Sequence, residues 1–461
     1  MNNYNLILDT DSYKHSHFAQ YPAGTTMVNS YIESRGGTYD KTVFFGLQAW
    51  IKKALSNPIT LQNIEEAAEI CELHAVPFNK AGWMHILNKH SGHLPLEIEA
   101  APEGTVLNTK NILVQVRNTD PECYWLTSFI ETAMLRAIWY PTTVATVSYH
   151  LKQVIGQYLS ETSDAQIDMV LPFMLHDFGS RGVSSEESAG LGGLAHLINF
   201  QGTDTMAALL YGRRYYDIDM AGFSVPASEH STMTSWTKDF EVDAYRNMIN
   251  QFGDSGGIVS IVSDSYDIFN AVDNIFGNKL KDLINQKADE YGTRLVIRPD
   301  SGDPVEIVEQ VITALMLRFG HSVNSKGFKV LPDHIRVLQG DGINAQSLEE
   351  ILANLKTKGI SSENVVFGMG GGLLQQCDRD TLKFAMKCSA IAIGNEHRDV
   401  YKDPVTDQGK ASKKGVLSLV EGNTIRRDKI NGHMGQLKTV FRNGDILIND
   451  SFDDIRARAN A

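Results

Sequence analysis

The chain has 461 residues, enough to bury one large core or two ordinary ones, which excludes a small stapled scaffold. Its 42 Lys and Arg against 55 Asp and Glu leave a net charge of −13, so neither nucleic acid nor an anionic membrane surface is an expected partner, since both need a basic face. Any phosphate chemistry must therefore rest on locally gathered cations.

Cys71, Cys123, Cys377 and Cys388 form no C-x-x-C pair and are too few for a disulfide framework, so a reducing cytoplasm is the expected setting. The opening Met1-Asn2-Asn3-Tyr4 reaches Asp9 and Asp11 before any apolar run of leader length, and no secretion leader is expected. Nowhere do about 18 apolar residues run uninterrupted, so no span is expected to cross a bilayer.

In chain order, Thr26 to Ile32 and Leu96 to Glu99 read as antiparallel strands. Asp120-Pro121-Glu122 opens a helix, with Asp at the N-cap and Pro at the first position, and Tyr140-Pro141 reads as a stop. Trp125, Leu126, Phe129, Ile130, Met134 and Leu135 are its buried residues. Beyond residue 170 one arrangement recurs: a short apolar run ends abruptly in polar or glycine residues. The runs are Phe173 to Leu175, Leu197 to Phe200, Phe223 to Val225, Ile258 to Val262, Leu295 to Ile297, Ile335 to Leu338 and Val365 to Phe367. Continuous and rich in β-branched residues, they suit parallel strands buried on both faces.

The intervening stretches are long enough for crossover helices. Pro304 to Phe319 is one, with apolar residues at helical spacing. Seven β-α units match a TIM-like α/β barrel, with the active site where strands end and loops begin. An open doubly wound sheet is the competing arrangement, but it gathers its ligand groups at one switch point. After residue 386 come a Lys-rich loop and the strand-like Thr439 to Phe441 and Ile446 to Ile448. The expected organisation is thus a barrel over 166–385, packed on a β-rich α+β domain built from 1–165 together with 386–461.

Asp177-Phe178-Gly179 lacks the H-R-D loop and glycine loop of a kinase, and Gly368 to Gly372 lacks P-loop spacing. The glycine run reads either as a tight turn or, from its place after the last strand, as a phosphate cradle. His15, His17, His85, His90 and His93 read as surface or capped histidines. His230, flanked by Glu229 and Ser231 at a strand end, is either structural or an acid/base or nucleophile. Asp264, Asp300 and Asp341 follow three different strands and would meet at one barrel mouth. N-capping explains one such Asp and three poorly, whereas magnesium, ribose hydroxyls or a developing cation would explain all three. Arg298, just after a strand, is a phosphate-binding candidate, while Lys410 to Lys414 read by default as a solvated loop.

Together with Asp11-Ser12-Tyr13-Lys14, Asn118 to Trp125, His176 to Gly179, Arg181 to Ser185, Gly202 to Thr205, Glu229 to Thr232, Ser263 to Asp267, Ile297 to Gly302, Gln339 to Gly342, Gly370 to Gln375 and Lys402 to Val405, these residues make the sequence resemble the nicotinamide phosphoribosyltransferase family, type II phosphoribosyltransferases, over nearly its whole length. The resemblance implies an irregular α/β barrel on a β-rich domain. It implies transfer of phosphoribose from phosphoribosyl pyrophosphate to nicotinamide, with magnesium and ATP assisting, in a homodimer with active sites at the interface.

It assigns Asp264 and Asp300 to the ribose and magnesium side and Arg298 to pyrophosphate. Gly340, Asp341, Gly370, Gly371 and Arg379 take the ribose and its 5′-phosphate, with Arg35, Lys387, Lys402 and Lys410 as further substrate contacts. It stacks the ring between Phe178 and Tyr13 of the partner subunit, with Arg181 beside it and Asp204 accepting from the carboxamide. His230 becomes the residue phosphorylated by ATP. Ser180 and Ala385 depart from relatives that carry an aromatic and a hydroxyl there. The same barrel acting on nicotinate is the alternative, and a non-catalytic ligand-binding protein is the reading from another class.

Overall fold

Six short strands form one parallel sheet in the computed structural model, which describes residues 4–406, 410–430 and 433–461; residues 1–3, part of the segment read for a leader, lie outside it. The chain divides into two compact units, one of Met1–Thr146, Tyr211–Asp219 and Cys377–Ala461, the other of Val147–Leu210 and Met220–Gln376.

The second unit holds the parallel sheet. Its strands are β1 (Leu175–Asp177), β2 (Gly202–Thr203), β3 (Ile258–Val262), β4 (Arg294–Arg298), β5 (Ile335–Gln339) and β6 (Val365–Met369), in the order β2-β1-β6-β5-β4-β3. An extended segment joins the two edges. Phe223 bridges Gly202 on β2 and Ala227 bridges Ser260 on β3, both in parallel sense. The amide of Phe223 donates to the Gln201 carbonyl at 2.7 Å, and that of Ser260 to the Pro226 carbonyl at 2.9 Å. The sheet thus curls into an α/β barrel.

Most of the strand residues are buried, Val259, Ile261, Leu295, Ile297, Val337 and Phe367 among them, as continuous apolar runs require. Crossover helices cover them. In Pro304–Phe319 the Asp303 carboxylate accepts from the amides of Val305 and Glu306, Pro304 fills the first position, and Ile307, Val308, Val311, Ile312, Leu315 and Met316 are buried.

Two predicted strands are displaced. Leu197 to Phe200 form the turn leaving the helix Glu186–His196, and the strand begins at Gly202; Phe173 ends a 3-10 turn, Leu171–Phe173, before β1. Leu197 to Phe200 are apolar because they are enclosed, whereas in the other run Met174 and Leu175 are buried and Phe173 is exposed. Periodicity cannot separate a buried turn from a buried strand over so few residues.

The first unit is built on a seven-stranded antiparallel sheet in the order Glu396–Asp399, Phe384–Ile393, Thr25–Ser34, Ile112–Asn118, Leu96–Ala100, Lys438–Arg442 and Asp445–Ile446. The last strand stops at Ile446, short of the predicted Ile448. Asp120 does cap a helical start, accepting from the Glu122 amide at 3.1 Å, but this opens only a 3-10 turn, Pro121–Cys123. A short helix, Leu126–Phe129, follows.

Pro141 does not stop the next helix, which runs Glu131–Thr162. A proline there removes one helical donor and frees the carbonyl of Ala137. Gly46, at φ +106°, lies against both the Pro141 ring and that carbonyl, where a Cβ would come within 2.4 Å of the ring. The hydroxyls of Thr143 and Thr146 donate back to the carbonyls of Trp139 and Thr142. The helix therefore passes through.

Glu103 is buried in this unit, with Oε1 accepting from the Gln48 amide at 2.7 Å and Oε2 unpartnered among the described residues. Burial pushes its pKa up to about 7 from an ordinary 4.5. Between those values the unfolded chain has lost the proton that the folded chain keeps, so stability falls as pH rises from about 4.5 to about 7, by on the order of 3 kcal/mol. Glu103→Gln keeps the acceptor and removes the titration. Urea denaturation is expected to show the variant gaining on the parent at pH 8 relative to pH 5; an equal difference at both pH values would contradict this.

Candidate active site

The strand ends of the barrel meet around a pocket of about 540 Å³, lined by Phe178, Ser180, Arg181, Asp204, Arg298, Asp300, Gly340, Asp341 and Gly370. That volume suits a small-molecule site. It unites eight of the residues singled out from sequence.

Asp177 organises one side. Its carboxylate is fully buried: Oδ1 accepts from the Gly179 amide at 2.7 Å, Oδ2 from the Thr203 hydroxyl at 3.3 Å, and its carbonyl from the Asp204 amide at 2.9 Å. These contacts tie the turn presenting Phe178 and Arg181 to the loop presenting Asp204. Burial pushes the Asp177 carboxyl up, and its hydrogen bonds pull it back. The Ser224 hydroxyl donates to Asp204 Oδ1 and fixes that second carboxylate.

The Phe178 ring needs a glycine at 368. A Cβ on Gly368 would lie 2.0 Å from Phe178 Cε2, and one on Gly340 would lie 3.4 Å from it. No side chain fits at Gly368. Gly371 opens the short helix Gly371–Leu374 beside the same turn.

A second cluster is acidic. Asp264 Oδ2 accepts from the Asp300 amide at 2.9 Å and from the Ser301 hydroxyl, while its buried Oδ1 has no hydrogen bond among the described residues. His230 Nε2 lies 3.7 Å from that oxygen and 3.4 Å from Asp300 Oδ2, and its Nδ1 is 3.0 Å from the Ser265 hydroxyl. Arg298 Nε is also buried without a hydrogen bond, 4.0 Å from Asp300 Oδ1. Two arginines and three aspartates line the pocket, so it carries more acid than base before Asp264 is counted. A hard, oxygen-seeking divalent cation fits such a donor set, with Asp264 Oδ1 desolvated and unclaimed.

The remaining predicted residues belong to the first unit. Tyr13 is 58% exposed. Lys387 stands opposite Tyr31 on neighbouring strands, and burial, with Arg35, Lys402 and Lys14 nearby, lowers its pKa. Four cations are thus gathered there. Arg379 is exposed and pairs with Asp380, and Lys410 is exposed. Ala385 lies buried in the strand Phe384–Ile393.

Sequence reasoning passed over the supporting residues Asp177, Thr203, Ser224, Ser265, Ser301 and Lys14. Several sit inside quoted motifs, which was the available signal. Gln339 was also missed: Nε2 donates to the Asp341 carbonyl at 2.9 Å, and its buried Oε1 is unpartnered among the described residues.

Residues 173–445 match the nicotinate phosphoribosyltransferase (NAPRTase) family, and residues 5–98 match the nicotinamide phosphoribosyltransferase N-terminal domain. A nicotinamide phosphoribosyltransferase of Xanthomonas campestris pv. campestris is 50% identical over 467 residues, covering 99% of this chain and 98% of that protein. One from Acinetobacter baylyi is 35% identical, over 97% and 95%. In fold the chain is similar to nicotinate-nucleotide pyrophosphorylase from Pyrococcus furiosus, with TM-score 0.60 at 15% identity over 100% and 96% of the two chains. Human nicotinic acid phosphoribosyltransferase gives 0.55 at 16%, over 98% and 92%. The barrel, the pocket at its strand ends and the full-length sequence matches agree: this chain belongs to the nicotinamide phosphoribosyltransferase family.

Proposed function

We propose that this chain transfers phosphoribose from phosphoribosyl pyrophosphate to nicotinamide, giving nicotinamide mononucleotide and pyrophosphate in NAD salvage, in a reducing cytoplasm. The observation that carries the choice of ring is Asp204, held by Ser224 and the Asp177 carbonyl in the pocket of Phe178. A fixed carboxylate accepts from a carboxamide NH2 and repels a carboxylate ligand. Arg181 in the same pocket keeps the nicotinate reading as the alternative.

The pyridine nitrogen has a free lone pair at neutral pH, so the nucleophile needs positioning and no base. Phe178 supplies one stacking face, and Tyr13 of the partner subunit supplies the other in a homodimer. As pyrophosphate leaves, C1 of the ribose gains positive charge, which Asp264 and Asp300 stabilise from below while Arg298 draws the leaving group. Gly340, Asp341, Gly370 and Gly371 hold the ribose phosphate, with Arg35, Arg379, Lys387, Lys402 and Lys410 as further cations and donors. Asp264 and Asp300 would hold a magnesium ion, which would supply charge neutralisation for the pyrophosphate. A ring nitrogen of His230 takes the γ-phosphoryl group of ATP as ADP leaves, and later hydrolysis of that phosphohistidine to phosphate couples ATP hydrolysis to synthesis.

The deciding experiment assays nicotinamide and nicotinate side by side with phosphoribosyl pyrophosphate, each with and without ATP. Faster turnover of nicotinate would overturn the reading, and tight nicotinamide binding without turnover would favour the non-catalytic one. Asp204→Ser is expected to shift the nicotinamide-to-nicotinate ratio of kcat/KM by on the order of 10², a few kcal/mol of lost discrimination. An unchanged ratio would assign amide recognition elsewhere. His230→Ala is expected to lose ATP stimulation while retaining some basal transfer, and equal stimulation in variant and parent would remove His230 from that role.

A further inference from the structure

In the first unit, an imidazole, a carboxylate and a thiol converge where the helix Lys80–Lys89 ends against the turn Pro121–Cys123, and a second imidazole, His90, lies on the same carboxylate. His85 Nε2 lies 2.9 Å and His90 Nε2 2.6 Å from the same oxygen, Asp120 Oδ2. Cys123 is fully buried, and the ligand atoms of His85, Asp120 and Cys123 all lie within 4.8 Å of one another. Lys89 Nζ also reaches Asp120 Oδ2, at 2.9 Å. One carboxylate oxygen offers about two lone-pair sites, so three donors exceed its capacity, while Oδ1 takes only the Glu122 amide.

We propose that His85, His90, Asp120 and Cys123 form a structural site for a divalent cation of the zinc class. Two nitrogens, one sulfur and one oxygen are a tetrahedral zinc-type donor set and a poor one for magnesium, which takes oxygen ligands. A cation there relieves the crowding: each neutral imidazole turns a lone pair to the metal, Asp120 Oδ2 keeps one strong partner, and Lys89 swings into solvent on a side chain already 57% exposed. Metal uptake converts the Cys123 thiol to a thiolate and releases its proton to solvent. Helix end and turn, separated by thirty-odd residues in sequence, become stapled. The histidines read as surface or capping groups then have a shared task.

The test is optical and independent of turnover. Full-length protein stripped with a chelator is titrated with cobalt(II). One cobalt per chain is expected, with a thiolate-to-cobalt absorption in the near ultraviolet that zinc abolishes by displacement and millimolar magnesium does not. Cys123→Ser removes that absorption. His85→Gln and His90→Gln, at partly exposed positions that the fold tolerates, each weaken binding by about tenfold or more, and Lys89→Met tightens it by removing the competing ammonium. Absence of saturable cobalt binding overturns the proposal, as does a band that survives Cys123→Ser. Should that variant not fold, unchanged affinity in both histidine variants overturns it equally.

Discussion

The buried carboxylate of Asp177 is the contact on which the ring side of the pocket depends. One side chain takes an amide from the turn after β1 and a hydroxyl from β2, and its own carbonyl takes the amide of Asp204. Two loops that carry recognition groups are therefore referenced to a single point in the barrel interior. The packing around that point leaves little play: a Cβ on Gly193 would come within 2.9 Å of Asp177 Oδ2. Groups at strand ends inherit the rigidity of the sheet, and the loops add the chemistry.

Charge sharpens the division of labour. The overall excess of acid continues into the barrel pocket, where aspartates outnumber arginines. The first unit separately collects Lys14, Arg35, Lys387 and Lys402, and burial of Lys387, with those cations opposed by Glu131, lowers its pKa.

The strands with strong β-branched runs, β3 to β6, were legible within a residue or two, and so were the bounds and apolar face of the helix Pro304–Phe319. Failures came where apolar residues are enclosed without being extended, as at Leu197 to Phe200, and where tertiary packing overrides a breaker, as at Pro141 under Gly46. Asp264, Asp300, Arg298 and the late glycines stood out because each follows a strand. Ser224 and Ser265 did not, since a serine beside a strand end is common and only the fold brings it to Asp204 or His230. The meeting of His85 and His90 with Asp120 was illegible because it spans two elements whose approach no local pattern encodes.

Asp264 Oδ1, Arg298 Nε and Gln339 Oε1 are buried polar atoms without a hydrogen bond among the described residues, each carrying a desolvation cost of about 1–3 kcal/mol. Stability alone would replace them with apolar or mutually satisfied side chains. A population of this gene selected only for heat tolerance would consequently be free to drift first at these three positions.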